Sequence, residues 1–128
     1  MSKKNVFIII IIVVFLIAGI VLMFLNNKDE QEKSLQHLAF KFLDKKGFSS
    51  YISHGIGHFL GLDVHDVGDN TYPLGAGDLF TLEPGIYIPE ENLGVRIEDD
   101  YLMTDEGVVC LSFQLPRKAE DIEKLMSK

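Results

Sequence analysis

An uncharged run of twenty residues, Val6 to Leu25, constrains the fold of this chain most strongly. It is apolar at every position except Gly19. A helix needs about 20 apolar residues to cross a bilayer, whereas the hydrophobic region of a signal peptide is only about 7 to 15 residues long. We therefore expect a membrane-spanning helix here, in preference to a cleaved signal peptide or a buried strand.

The charges beside this run predict its orientation. Lys3 and Lys4 precede it, and the polar residues that follow it carry no net positive charge. The positive-inside rule then places the N terminus in the cytoplasm and the rest of the chain on the extracytoplasmic side. The prediction is a single-pass membrane protein with four parts: a short basic N terminus (1–5), a transmembrane anchor (6–25), a linker (26–33) and a folded domain (34–128).

Composition argues against binding to nucleic acid and against a disulfide within the chain. The chain has 128 residues, enough for one modest domain, and a net charge of −7 that argues against binding nucleic acid. Cys110 is the only cysteine, so no disulfide can form within the chain. It lies in an apolar run, which predicts a buried and unreactive thiol.

The folded domain contains two helical patterns. After Ser34, a suitable N-cap, apolar residues recur at the spacing of one helix face, and Lys45, Lys46 and Gly47 close the predicted helix. A second pattern follows Pro116, with Glu120 and Asp121 near its start, where the helix dipole favours acidic residues. The two predicted faces consist of Leu35, Leu38, Ala39, Phe42 and Leu43, and of Ala119, Ile122, Leu125 and Met126.

Strand patterns lie between the helices. Apolar residues alternate with polar ones at 62–65, and further β-prone runs follow at 79–82, 95–104 and 108–113. Glycines and prolines mark the turns between these runs. The sequence therefore predicts an α+β domain with two helices against a mainly antiparallel sheet.

The densest group of chemically active residues is the stretch from His54 to Gly68, which holds three of the four histidines. A single histidine is most often structural, but His54, His58 and His65 are followed by Glu83 and Glu98. One imidazole nitrogen and two carboxylates make a donor set that suits Zn, Mn or Co. The pattern therefore favours a metal site over three unrelated structural histidines.

Three segments carry a resemblance to a known family. His54–Gly68, Leu82–Ile88 and Gly94–Asp100 resemble the C-terminal half of the pita-bread (creatinase/aminopeptidase-like) metallopeptidases, with Xaa-Pro aminopeptidases closest and prolidases next. The resemblance runs from about Leu35 to Met126. It implies a two-metal site held by two aspartates, one histidine and two glutamates, and the last three match His58, Glu83 and Glu98.

The spacing of the histidines supports this assignment. In the related enzymes a second histidine lies seven residues after the ligand, and from His58 that position is His65, whereas from His54 it is Gly61. The resemblance implies that His54 and His65 contact the substrate or handle protons, and that Arg96 borders the substrate pocket. Glu83 is expected to carry a proton as well as bind metal.

The activity implied by the resemblance is hydrolysis of the peptide bond before a proline in the second position, with a metal ion that activates water. Mn is the metal that the resemblance favours, with Zn or Co as alternatives. The two aspartate ligands belong to the family's first half, and Asp29 and Asp44 are not in the expected strand setting. We therefore expect at most one ion and little or no activity from the chain alone.

Two functions remain open from the sequence. One is a membrane-anchored member of the Xaa-Pro aminopeptidase group that is either truncated or dependent on a second chain for the other half of the domain. The other is a non-catalytic membrane-anchored remnant or peptide-binding module. The expected partners are a peptide with proline in the second position, the lipid bilayer through Val6–Leu25 and, for the first function, that second chain. An adjacent reading frame that encodes the aspartate-bearing half would favour the enzyme.

Overall fold

The computed structural model describes residues 34–69 and 72–127, and these residues form an α+β domain, as predicted. No helix within these ranges is long and apolar enough to span a bilayer, and the predicted anchor at Val6–Leu25 lies outside them. The described elements are α1 (Leu35–Lys45), β1 (Leu79–Leu82), β2 (Gly85–Ile88), β3 (Leu93–Arg96), β4 (Asp99–Thr104), β5 (Gly107–Cys110) and α2 (Ala119–Met126), with short 3-10 helices at Ser49–Tyr51 and Pro89–Glu91.

Helix α1 begins and ends where the sequence predicts. The Ser34 side chain caps it by accepting a hydrogen bond of 3.1 Å from the His37 backbone N–H. After the helix, Gly47 adopts a φ of 77°, a left-handed conformation that glycine tolerates best. The buried face of α1 packs into a core with residues of the strands; the buried apolar residues are Leu38, Ala39, Leu43, Ile56, Phe80, Leu82, Ile86, Ile88 and Tyr101.

The strands form two antiparallel groups, one in the order β1-β4-β5 and the other β2-β3. Leu82 pairs with Asp99 in the first group, and Gly85 pairs with Arg96 in the second. Two residues separate these pairs on each strand, so the groups share one register and form a single interrupted ladder. Pro84 lies in the gap and has no N–H to donate across it.

The predicted strand at residues 62–65 is wrong. These residues form bends, and the Leu62 and Val64 side chains are exposed. The cause is Asp66, whose carboxylate accepts hydrogen bonds from the backbone N–H groups of Leu62 (2.9 Å) and Val67 (2.8 Å). A side chain that takes up local backbone donors in this way favours a closed loop over a strand.

The C-terminal part of the fold also differs from the sequence prediction. Strand β5 ends at Cys110, so the predicted strand at 108–113 is too long, and Cys110 is half-buried, not buried. Helix α2 carries Glu120 and Asp121 in its first turn, as predicted. None of the described residues of α2 is buried, so the expected packing of its apolar face against the sheet is absent from the described part of the chain.

Candidate metal site

The segment that contains His54 and His58 runs alongside β1 and the residue after it. The Thr81 N–H donates to the His58 carbonyl (2.9 Å). The Glu83 N–H donates to the Ile56 carbonyl (2.7 Å). A Cβ at Gly57 would overlap the carbonyl oxygen of Thr81, so only glycine fits there. Gly57 therefore allows this segment to pair closely with the strand.

His58 is held at both its backbone and its ring. Its N–H donates to Thr81 Oγ1 (3.0 Å), and its Nδ1 lies 3.0 Å from the Phe59 carbonyl oxygen. A carbonyl only accepts, so Nδ1 carries the hydrogen and a neutral ring has its lone pair on Nε2. Metal-binding histidines are oriented in this way.

The free lone pair of His58 points at a carboxylate. His58 Nε2 lies 3.5 Å from Glu83 Oε1, and only 12% of the Glu83 side chain is exposed. An imidazole nitrogen and a carboxylate oxygen at this distance can act as two ligands of one metal ion.

Glu98 lies across the ladder from Glu83. The shared register of the two strand groups sets these residues opposite each other, next to the Leu82–Asp99 pair. Because the Glu83 N–H points to Ile56, on the other side of the strand, this is a non-hydrogen-bonded pair, in which Cα atoms approach to about 4.5 Å. Like charges in this position repel each other, and a cation removes the repulsion.

Two further predicted residues lie beside this group. Arg96 Nε is 3.6 Å from Glu83 Oε2, and half of the Arg96 side chain is exposed. The His65 ring lies over the His58 ring, with 3.9 Å between centroids and 30° between planes. Glu83 thus contacts His58 through one oxygen and Arg96 through the other, and His65 reaches the group from an exposed loop.

His54 has hydrogen-bond partners at both of its ring nitrogens. Its Nδ1 donates to the Gly55 carbonyl, and the Tyr87 hydroxyl donates to its Nε2 (2.8 Å). A Cβ at Gly85 would lie 2.7 Å from that Nε2, and one at Gly94 would lie 2.9 Å from the Tyr87 ring. Sequence reasoning missed Tyr87; its signal was the pair of glycines that leave room for the two rings.

The imidazole of His58 and the carboxylates of Glu83 and Glu98 are suitable ligands for a divalent ion, but the structure brings these side chains only partly together. His58 and Glu83 are in contact, and Glu98 is opposite Glu83 but exposed. Over residues 34–69 and 72–127, no three side chains of His, Cys, Asp or Glu are grouped closely enough to hold an ion. Asp44 is on α1, as predicted, and accepts a hydrogen bond from Ser49 (2.7 Å).

The fold and this donor set define a class, the pita-bread metallopeptidases. The model of metallopeptidase family M24 matches residues 29–105. The chain belongs to metallopeptidase family M24, in its aminopeptidase P and prolidase group. Membership of this family implies a divalent metal cofactor.

Relatives and solved structures agree on the group. Over 94 residues the chain is 43% identical to human Xaa-Pro aminopeptidase 3, a match that covers 65% of this chain and 18% of that protein. It is 42% identical over 97 residues to Xaa-Pro aminopeptidase of Haemophilus influenzae, covering 66% and 23%.

The structural match extends further along this chain. The X-Pro aminopeptidase structure from Thermotoga maritima matches with a TM-score of 0.76 and 30% identity, covering 92% of this chain and 33% of that one. The chain spans about a fifth of the length of the two curated relatives.

Proposed function

We propose that this chain supplies His58, Glu83 and Glu98 as the ligands of one divalent ion in a peptidase of the Xaa-Pro aminopeptidase type. The observation that carries the proposal is the contact of His58 Nε2 with Glu83 Oε1 at 3.5 Å, with Glu98 across the ladder. Mn is the metal we expect, and Zn or Co suit the same donors.

The surrounding residues support hydrolysis of a peptide. A bound ion would supply activation of water and polarisation of the scissile carbonyl. Glu83, largely shielded from solvent, is placed to take and return a proton. His65 and the half-exposed Arg96 offer an imidazole and a positive charge to the peptide on the open side of the group.

The hydrogen bonds of His54 favour one of the two roles that the resemblance implies for it, contact with the substrate over proton handling. With Nδ1 donating to Gly55 and Nε2 accepting from Tyr87, a neutral His54 has no free N–H for a developing oxyanion. It can contribute a donor there only after protonation of Nε2. We therefore propose that His54 contacts the peptide and that His65 and Glu83 handle the proton.

A peptide with proline in the second position is the proposed substrate, because the relatives reported above are Xaa-Pro aminopeptidases. Three protein ligands can hold one ion but not the two-ion clamp of the family. We therefore expect the chain alone to bind such a peptide in an Mn-dependent manner and to hydrolyse it slowly or not at all.

An assay with the full chain in detergent tests this function. Binding of an Xaa-Pro peptide and release of its N-terminal residue are measured with and without Mn, for the natural chain and for His58→Ala and Glu98→Ala, with an Xaa-Ala peptide as control. If peptide binding is the same with and without Mn and in both variants, the metal-dependent function is overturned and a peptide-binding module is favoured. Rapid turnover that both substitutions abolish would overturn the expectation of low activity.

We also propose attachment to the membrane through Val6–Leu25, with the domain on the extracytoplasmic side. This proposal rests on the sequence, since those residues lie outside the described ranges. A second chain that completes the metal site is the partner proposed for full activity.

A further inference from the structure

A buried carboxylate lies directly after Glu98. Asp99 is 2% exposed, and both of its oxygens are bound. Ser112 Oγ donates to Oδ1 (2.5 Å), and Arg117 donates to Oδ2 through Nε (2.7 Å) and to Oδ1 through a terminal nitrogen. Two parallel hydrogen bonds from a guanidinium fix both the position and the orientation of a carboxylate.

The same guanidinium fixes the turn that follows β5. Its terminal nitrogens donate to the backbone carbonyls of Phe113 (3.1 Å), Leu115 (3.3 Å) and Ser112 (3.2 Å). The hydrogen bonds to Asp99 raise the pKa of Arg117 above its ordinary value, so the guanidinium stays charged. Arg117 thus joins residues 112–115 to the first residue of β4.

Backbone contacts bring this turn to the strand as well. The Asp100 N–H donates to Ser112 Oγ (3.1 Å), and the Leu111 N–H donates to the Asp100 carbonyl (2.8 Å). Asp99 also pairs with Leu82, the residue before Glu83. The Leu82–Asp99 pair is therefore adjacent in the chain to both carboxylates of the candidate metal site, Glu83 and Glu98.

Glu98 itself has little to hold it in place. Its side chain is exposed and has no hydrogen bond or ion pair within residues 34–69 and 72–127. It lies where the ladder is interrupted, because Pro84 cannot donate a hydrogen bond to the strand of Ile97. Of its two neighbours in the chain, Ile97 is partly buried against the core, whereas Asp99 is buried and bound through both of its oxygens.

We infer that Arg117 is a positioning residue that fixes Glu98 opposite Glu83 by holding Asp99. This inference rests on the proposed function of Glu98 as a metal ligand. Stability alone gives a poor account of the Asp99–Arg117 pair, because buried ion pairs add little net stability compared with apolar packing of the same volume. Removing an outer partner of a metal site typically weakens metal binding by about 10- to 100-fold.

The test uses the full chain in detergent with Arg117→Ala, Arg117→Lys and Ser112→Ala. Leu43→Val, in the α1 part of the core, is a control that lowers the melting temperature without touching Asp99. Two quantities are measured for each variant that retains native circular dichroism: Mn affinity by calorimetry, and the nuclear Overhauser effect between the α-protons of Glu83 and Glu98 in the metal-free protein.

We expect Arg117→Ala to weaken Mn binding by about 10-fold or more and to abolish the α-proton signal. Ser112→Ala and Arg117→Lys should have smaller effects in the same direction, since an ammonium cannot reproduce the planar fork. Leu43→Val should change neither quantity. If Arg117→Ala does not fold, the inference is judged from Mn affinity and the α-proton signal in Arg117→Lys and Ser112→Ala.

Two results would overturn the inference. One is unchanged Mn affinity in folded Arg117 and Ser112 variants, and the other is an α-proton signal of unchanged intensity in them. If the natural chain binds no Mn, the proposed function fails. The role of Arg117 is then tested separately by the α-proton signal, which is measured in the metal-free protein.

Discussion

His58 Nε2 and Glu83 Oε1 lie 3.5 Å apart, and both atoms are acceptors when the imidazole is neutral. The pairing of the His54–His58 segment with β1 creates this arrangement, and the Phe59 carbonyl fixes the ring tautomer. Across the ladder, Glu98 adds a third acceptor.

Gly57→Ala should disturb the site, and Gly55→Ala should not. A Cβ at residue 57 overlaps the Thr81 carbonyl, whereas the nearest atom to one at residue 55 is Gln36 Oε1 at 3.7 Å, an ordinary contact. We expect Gly57→Ala to lower the free energy of unfolding by about 1–3 kcal/mol. Gly55→Ala should change it by less than about 0.5 kcal/mol. Urea unfolding followed by circular dichroism measures both, and equal effects would contradict the close pairing.

Tyr87→Phe should free the Nε2 atom of His54. The substitution keeps the ring beside Gly94 and removes the hydroxyl that donates to Nε2, at a cost of about 0.5–1.5 kcal/mol in the free energy of unfolding. Nitrogen NMR of the imidazole should show the Nε2 resonance of His54 shift, because this nitrogen loses its hydrogen-bond donor while Nδ1 keeps the Gly55 carbonyl. Tyr72→Phe, at an exposed position, is the matched control. An unchanged His54 spectrum in Tyr87→Phe would exclude the hydrogen bond.

Deleting residues 6–25 should release the chain from the membrane fraction of an expression host, whereas deleting the linker 26–33 should not. The reason is that only the first segment is long and apolar enough to cross a bilayer. A C-terminal tag on the natural chain should be digested by protease added to spheroplasts. A tag that stays protected there would contradict the extracytoplasmic orientation.

The helices and the first strand could be predicted from the sequence because their signals are local. Ser34 and the apolar spacing after it predict α1, and the run at Leu79–Leu82 predicts β1. The strand predicted at residues 62–65 is absent for a local reason as well. Alternation there is real, but one side chain, Asp66, takes up the backbone donors that a strand would need.

Contacts between residues far apart in the chain could not be predicted from the sequence. The Tyr87 hydroxyl reaches His54 across 33 positions, and this depends on how the His54 segment lies over β2. Asp99 looks like its neighbours Glu98 and Asp100 in the sequence, yet it alone is buried, because Arg117 returns to it from 18 residues away. Which carboxylate faces the site is decided by register and burial, not by residue type.

Titration of the full chain with Mn by calorimetry tests most directly whether His58, Glu83 and Glu98 form one metal site. We expect a single equivalent of Mn, with affinity reduced at least about 10-fold by His58→Ala, Glu83→Gln or Glu98→Gln. His37→Ala and Glu106→Gln, at exposed positions elsewhere, should leave it unchanged. Two tight equivalents, no binding at all, or binding that the three ligand substitutions do not weaken would contradict the proposed site.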